Sequence, residues 1–174
     1  LIVDDGSTDG TATLAESMAD TLLRVENGPR GPAFARNLGA RRAGGDVLVF
    51  VDADVCVDQE ALSRFRQAFR DAEGLGAAFG TYDDHPEQAD FLSQYRNLYH
   101  RYVHLNGAGP AETFWAGCGA VRREVFLELG GFDVTAFPRP QIEDIELGYR
   151  IRDAGYDIVL DPRIEGTHLK RWAL

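Results

Sequence analysis

Cysteine is almost missing from this chain. Cys56 and Cys118 are the only two, and they form neither a disulfide framework nor a metal-ligand spacing. Free thiols in a reducing compartment, and so a cytoplasmic location, are the expectation. Long apolar runs are missing as well. None approaches the roughly 20 residues of a membrane span, and no secretory leader pattern is present. Basic charge is scarce: 18 Lys and Arg against 28 Asp and Glu leave a net charge of −10. A general nucleic-acid binder needs basic patches to neutralise phosphates, so that class is excluded. An anionic ligand would need a metal and local arginines. There is no internal repeat and no low-complexity segment, and 174 residues make one domain with a real core rather than two.

Against these absences stands one dense stretch, Asp46-Val47-Leu48-Val49-Phe50-Val51-Asp52-Ala53-Asp54. Five apolar residues rich in Val and Phe predict a strand buried on both faces, as in a parallel sheet. The strand stops on two carboxylates one residue apart, where open α/β sheets bind their ligands. Paired carboxylates suit a hard divalent cation such as Mg²⁺ or Mn²⁺, which also bridges substrate phosphates. A solvated strand end is the plain alternative. A calcium loop through Asp52, Asp54 and Asp58 fails at its sixth position, where Val57 replaces the required glycine. A phosphatase of the haloacid dehalogenase type, with Asp52 as nucleophile, fits the Asp-x-Asp locally. In those enzymes the motif ends the first strand of the fold, and here it follows two βα units.

The surrounding chain reads as alternating strands and helices. Leu1–Val3 is a strand followed by a turn-rich Asp4–Thr11 segment, then a helix carrying Leu14 and Met18, and a short strand at 21–25. Pro32 opens a helix that Gly44-Gly45 ends. That order implies a mostly parallel sheet with right-handed crossovers. Asp58 is expected to cap the next helix, with Leu62, Phe65, Phe69 and Ala72 inward. A strand at 76–82 precedes the longest helix, about 89–105, in which Phe91, Tyr95, Tyr99 and Tyr102 recur at core spacing. An extended segment 114–121, helices near 123–129 and 142–154, and strands at 156–160 and 164–169 complete the chain.

Several side chains are candidates for chemistry. Asp5 ends a strand on the same edge as Asp52 and Asp54 and can accept hydrogen bonds from a nucleobase or ribose. Arg36, on a helix of small residues, can reach a diphosphate with its fork of donors. Residues 144, 147, 151 and 154 share a helix face, so Asp144 heads a buried stripe while Glu143 points elsewhere, toward Arg150. A half-buried carboxylate at a helix N-terminus makes a plausible general base. Imidazole is an acceptable Mn²⁺ ligand, which makes His168 a candidate for the metal or diphosphate. Lys170 and Arg171 are candidates for neutralising an anionic ligand. Trp115 offers an apolar platform. His85, His100 and His104 are read as structural or acceptor-facing.

Five segments occur together in one order: DDGSTDGT at 4–11, GPAFARNLG at 31–39, the strand ending Asp52-Ala53-Asp54, Trp115–Ala120 followed by Gly130-Gly131-Phe132-Asp133, and Ile142–Leu147. Together they resemble the family 2 glycosyltransferases. The resemblance covers nearly the whole chain and implies an α/β, GT-A, Rossmann-like fold with a mostly parallel central sheet flanked by helices. It implies a single catalytic domain over 1–174, with 1–58 as the nucleotide-sugar half and 59–174 as the acceptor and base half. The family's first strand is absent, so a piece truncated at its N-terminus, and at its C-terminus also, is expected. By resemblance, Asp5 serves the base of the nucleotide, Asp52 the ribose side, and Asp54 the metal that bridges the diphosphate. Asp144, of the Glu143-Asp144 pair, is the catalytic base. His168 stands where some relatives complete the metal shell, and Trp115, Gly117 and Cys118 flank the acceptor. The implied partners are a nucleotide-diphospho-sugar donor and a sugar or lipid-linked acceptor, with Mn²⁺ or Mg²⁺ as cofactor and work at the cytoplasmic membrane face within reach. A non-catalytic nucleotide-sugar-binding domain is the remaining alternative.

Overall fold

A computed structural model describes residues 1–173; Leu174, part of the expected terminal segment, lies outside the described residues. In chain order the elements are β1 (Ile2–Asp4), α1 (Thr11–Met18), β2 (Leu22–Arg24), α2 (Pro32–Arg42), β3 (Val47–Val51), β4 (Val55–Val57) and α3 (Ala61–Asp71). There follow β5 (Leu75–Tyr82), α4 (Phe91–Asn106), β6 (Gly109–Pro110), β7 (Cys118–Arg122), α5 (Arg123–Glu128), α6 (Glu143–Asp153) and β8 (Asp157–His168). The two last strands expected from the sequence are one, because β8 continues from Asp157 to His168 without breaking. It runs parallel to β5 from Asp157 to Gly166, with shifts of register on the way, and its last three residues also pair antiparallel with β4.

The central sheet has the order β3-β7-β5-β8-β4, with β6 added on β8. Its pairings are mixed rather than mostly parallel. β7 runs antiparallel to both β3 and β5, and β5–β8 is the one parallel pair of that sheet. β1 and β2 pair parallel in a separate two-stranded sheet. β3 is therefore an edge strand of the larger sheet, and its burial alternates. Leu48 and Phe50 point into the core while Val49 and Val51 are exposed, which corrects the expectation of a strand buried on both faces.

Helices cover both faces of the sheet. On one side Phe50, Phe126, Phe132, Leu147 and Ile151 pack β3, α5 and α6 together. On the other, Phe65 and Phe69 of α3 meet Leu75, Ala120 and Ile164. In α3 the two phenylalanines are buried as expected, but Leu62 and Ala72 are exposed, and Ala61 takes the inward place. The helix begins after Glu60, and Asp58 closes the turn before it by accepting from the Glu60 amide.

The expectation for α4 is inverted. Phe91, Tyr95, Tyr99 and Tyr102 stand in solvent, 54–82 % exposed, and the first three rings stack along the surface. The buried residues of this helix are Ser93 and Asn97, with His100 and His104 half-buried on the same side. The inward face is polar because Ser93 and Asn97 bond to the Trp172 amide and to His168, while His100 and His104 line a cavity.

Candidate active site

Strand pairing assembles the site. The β3–β7 register sets Val51 opposite Cys118, and the Asp52 amide donates to the Gly117 carbonyl at 3.0 Å. On the other side the β4–β8 register sets Val55 opposite His168, and the Leu169 amide donates to the Asp54 carbonyl at 2.8 Å. Asp52 and Asp54, Trp115, and His168 thus converge from three separate parts of the chain. A cavity of about 890 Å³ opens over them, lined among others by Arg36, Asp52, Asp54, His100, His104, Trp115, Glu143 and Asp144.

Arg36 rises from α2 and divides its fork. One nitrogen donates to Asp52 at 2.6 Å and the other to Glu143 at 2.9 Å. Burial opposes the charge, yet Asp52 and Glu143 together hold the guanidinium above its ordinary range. Glu143 is buried and also accepts from the Gln141 amide at 2.9 Å. It does not turn toward Arg150 as expected. Arg150 pairs with Glu146, its neighbour one helical turn away. The Arg36 fork is spent on carboxylates, so it orders the site and partly neutralises its acid.

Asp144 sits in the first turn of α6 with its carboxylate in the cavity. One oxygen accepts from the Ala116 amide at 3.1 Å and the other from the Ile145 amide at 2.9 Å. Burial raises its pKa above the ordinary aspartate value, and this outweighs the two amide bonds that pull the other way. A carboxylate made more basic and fixed in direction has the properties of a general base.

His168 is buried and held from three sides. Its ring stacks on Tyr82 with centroids 4.5 Å apart, and its Nδ1 lies 2.7 Å from the Asn97 Oδ1. An amide oxygen only accepts, so Nδ1 carries the proton and Nε2 is left with a lone pair. Nε2 is 3.4 Å from the Asp54 carboxylate, which is half-exposed in the cavity. This pair fits a hard divalent cation that takes its remaining ligands from phosphate oxygens and water. Among the described residues no set of three His, Cys, Asp or Glu side chains stands ready to hold an ion alone.

Other candidates fall elsewhere. Asp5 accepts from the amides of Arg30 and Gly31 at 2.7–3.0 Å, so its carboxylate ties the loop before α2. The loop passes so close to Pro138 that a Cβ at Gly31, whose φ is +89°, would lie 2.7 Å from that carbonyl oxygen. Cys118 is sealed in the core on the α3 side of the sheet, and burial pushes its thiol up to about 12. It cannot face an acceptor, which corrects that expectation. Gly117 is a packing residue rather than a binding one: a Cβ there would lie 2.4 Å from the Trp115 indole. Lys170 and Arg171 are exposed and do not reach the cavity. Lys170 lies over the Trp172 ring, and that tryptophan's amide is bonded to Ser93 on α4. Asn97 and Tyr82 escaped the sequence reading as site residues, and His104 was read only as structural or acceptor-facing. The polar spacing Ser93, Asn97, His100, His104 carried the signal on α4, whereas Tyr82, at the end of β5, had none.

Residues 1–130 match the model of the family described as "Glycosyl transferase family 2". A polyprenol monophosphomannose synthase of Mycolicibacterium smegmatis is 33% identical over 178 residues, covering 93% of this chain and 64% of that protein. A poly-beta-1,6-N-acetyl-D-glucosamine synthase of Staphylococcus aureus is 26% identical over 173 residues, covering 93% of this chain and 40% of its own length. Among solved structures, the mannosyltransferase PcManGT from Pyrobaculum calidifontis, in complex with GDP-Man and Mn²⁺, superposes with a TM-score of 0.69 at 25% identity. That match covers 97% of this chain and 47% of the other. The chain thus spans between two fifths and two thirds of these relatives' lengths, and its fold is of the GT-A type.

Proposed function

The chain belongs to the family 2 glycosyltransferases, and on that premise we propose that it carries the site at which a sugar passes from a nucleotide-diphospho-sugar to an acceptor hydroxyl. The observation that carries this reading is the placement of Asp144. Its carboxylate is fixed by the Ala116 and Ile145 amides, raised in pKa by burial, and shares one cavity with Asp52, Asp54 and Trp115.

Asp144 takes the proton of the acceptor hydroxyl as that oxygen attacks the anomeric carbon. Attack from the face opposite the leaving diphosphate inverts the configuration in one displacement, with no covalent intermediate. Glu143 acts through Arg36, which it holds beside Asp52 on the nucleotide side. Asp5, through the loop it closes, shapes the approach to the base. Asp54 and His168 would hold a divalent cation, Mn²⁺ or Mg²⁺, which when bound would supply charge neutralisation for a departing diphosphate. The presence of Mn²⁺ and GDP-Man in the PcManGT complex supports that choice. The acceptor is a sugar or a lipid-linked glycan, and work at the cytoplasmic face of a membrane is compatible with relatives named as polyprenol and polysaccharide synthases. No helix among the described residues is long and apolar enough to cross a membrane.

The phosphohydrolase alternative loses ground on the family match. The model that fits residues 1–130 is that of the family 2 glycosyltransferases, and Asp52 is engaged through Oδ1 by Arg36 at 2.6 Å. A non-catalytic binding role is disfavoured because the carboxylates proposed as base and metal ligand, Asp144 and Asp54, share one cavity. The test is a screen of GDP-, UDP- and TDP-sugars with Mn²⁺ on the full-length protein, reading nucleoside diphosphate release. Slow release with one donor, lost in Asp54→Ala, is expected. Absence of binding to every nucleotide sugar would sink the reading.

A further inference from the structure

The cavity has a second end that the chemistry above leaves without an assigned ligand. It is walled by His100, Val103 and His104 of α4, by Thr113, and by Trp115, with Phe79 and Phe114 beneath. The rings form one cluster: His100 and His104 have centroids 4.0 Å apart, and they stand 4.9 and 5.2 Å from the Trp115 ring. Asp144 borders this end directly, since it is bonded to the amide of Ala116, the residue after Trp115.

Three observations define what this end can accept. First, Arg36 is the only Lys or Arg among the described residues lining the cavity, and both arms of its fork are taken by Asp52 and Glu143. Second, the two imidazoles offer no charge. The His104 Nδ1 lies 3.1 Å from the Gly80 carbonyl and must donate to it, which leaves Nε2 as an acceptor. Burial holds His104 down to about 4 and His100 down to about 3. Third, the His100 Nδ1 is buried and finds no hydrogen-bond partner among the described residues, an expense normally met by a ligand or a water. Neutral ring nitrogens beside an indole face are suited to a ring of hydroxyls and C–H faces. They are poorly suited to a phosphate, which would meet the Asp144 carboxylate at the border of this end and no unengaged Lys or Arg among the described lining residues.

We infer that His100, His104 and Trp115 form the acceptor subsite, and that it selects an uncharged saccharide ring over a phosphorylated acceptor such as a prenyl phosphate. The inference rests on the reading of the cavity as a glycosyl-transfer site. It goes against a simple carry-over from the polyprenol-directed relative.

The test pairs acceptors with donors on the full-length protein with Mn²⁺. GDP-mannose and UDP-N-acetylglucosamine are each offered with mannobiose, cellobiose, chitobiose or geranyl phosphate, and glycoside product and nucleotide release are both read. The expected result is a saccharide that raises nucleotide release about tenfold above the water background and is itself glycosylated, with geranyl phosphate inert. Transfer to geranyl phosphate, or no stimulation by any saccharide, overturns the inference while nucleotide release without acceptor leaves the transferase reading standing. No release with either donor, acceptor or not, removes the inference together with that reading. His104→Phe keeps the ring and deletes the accepting nitrogen, and should raise the acceptor KM about tenfold relative to the donor KM, the size of one hydrogen bond. Because this change also breaks the bond to Gly80, His100→Phe, which breaks none, is the companion. An unshifted KM ratio in both variants contradicts the subsite.

Discussion

The two ends of the cavity are built on opposite principles. The end at Asp52, Asp54 and His168 is polar and half-open, and its donors are aimed by other polar groups: Arg36 holds Asp52, and Asn97 fixes His168. The end at His100, His104 and Trp115 is aromatic and desolvated, and its rings are positioned by packing on Tyr82, Phe79 and each other. Asp144 stands between them and belongs to both, with Glu143 and Arg36 on one side and Ala116 on the other. On the proposed function this difference would separate two tasks, charge at one end and shape and hydroxyls at the other, with Asp144 joining them.

The largest expected effect comes from the joining residue. Asp144→Asn preserves the shape and one of the accepting oxygens but removes the base, and should lower kcat by about 10²–10⁴-fold. In the unaltered protein kcat/KM should fall as pH drops and Asp144 gains its proton. Because burial raises its pKa, that acid limb lies above the range of an ordinary aspartate. A profile flat down to pH values where free aspartate titrates would break the comparison at its centre. An intermediate effect is expected at Asn97. Removing its carbonyl in Asn97→Ala frees the His168 tautomer, and Mn²⁺ affinity, followed by the ion's spin-resonance signal during titration with nucleoside diphosphate, should weaken about 10–100-fold. Unchanged affinity would mean that the polar end does not depend on this support. The smallest effect belongs to the outer face of α4. Tyr99→Ser should alter thermal stability by no more than about 0.5 kcal/mol, since that ring is more than half exposed. A loss of several kcal/mol in thermal unfolding would place Tyr99 in a packed core.

That last case shows where sequence reasoning reached its limit. The GT-A class and the pairing of the Asp52–Asp54 edge with Asp144 were legible, because motif order and strand-end carboxylates are local signals. The α4 helix was not. Its aromatic residues recur at three and four, as a core face does, but periodicity reports that a helix is two-faced and not which face is inward. The inward face is polar because it meets His168, the Trp172 amide and a cavity, which local periodicity does not show. Sheet pairing was hidden for a similar reason. Alternation of strands and helices up to β3 implied parallel partners, yet β3 pairs with β7, 67 positions further along at Val51–Cys118, and runs against it. Cys118 was placed beside the acceptor by the family resemblance, whereas as the first residue of β7 it is turned into the core against α3. Glu143 was drawn toward Arg150 by helix geometry alone, while Arg36, 107 residues away in sequence, is the partner it meets.

The central claim is direct displacement with Asp144 as base. Its most immediate test is the anomeric configuration of the first-formed glycoside, read by ¹H NMR coupling constants on product from an α-linked nucleotide sugar. The account predicts a β-linked product with the wild-type protein and none with Asp144→Asn. An α-linked product, with configuration retained, would contradict it.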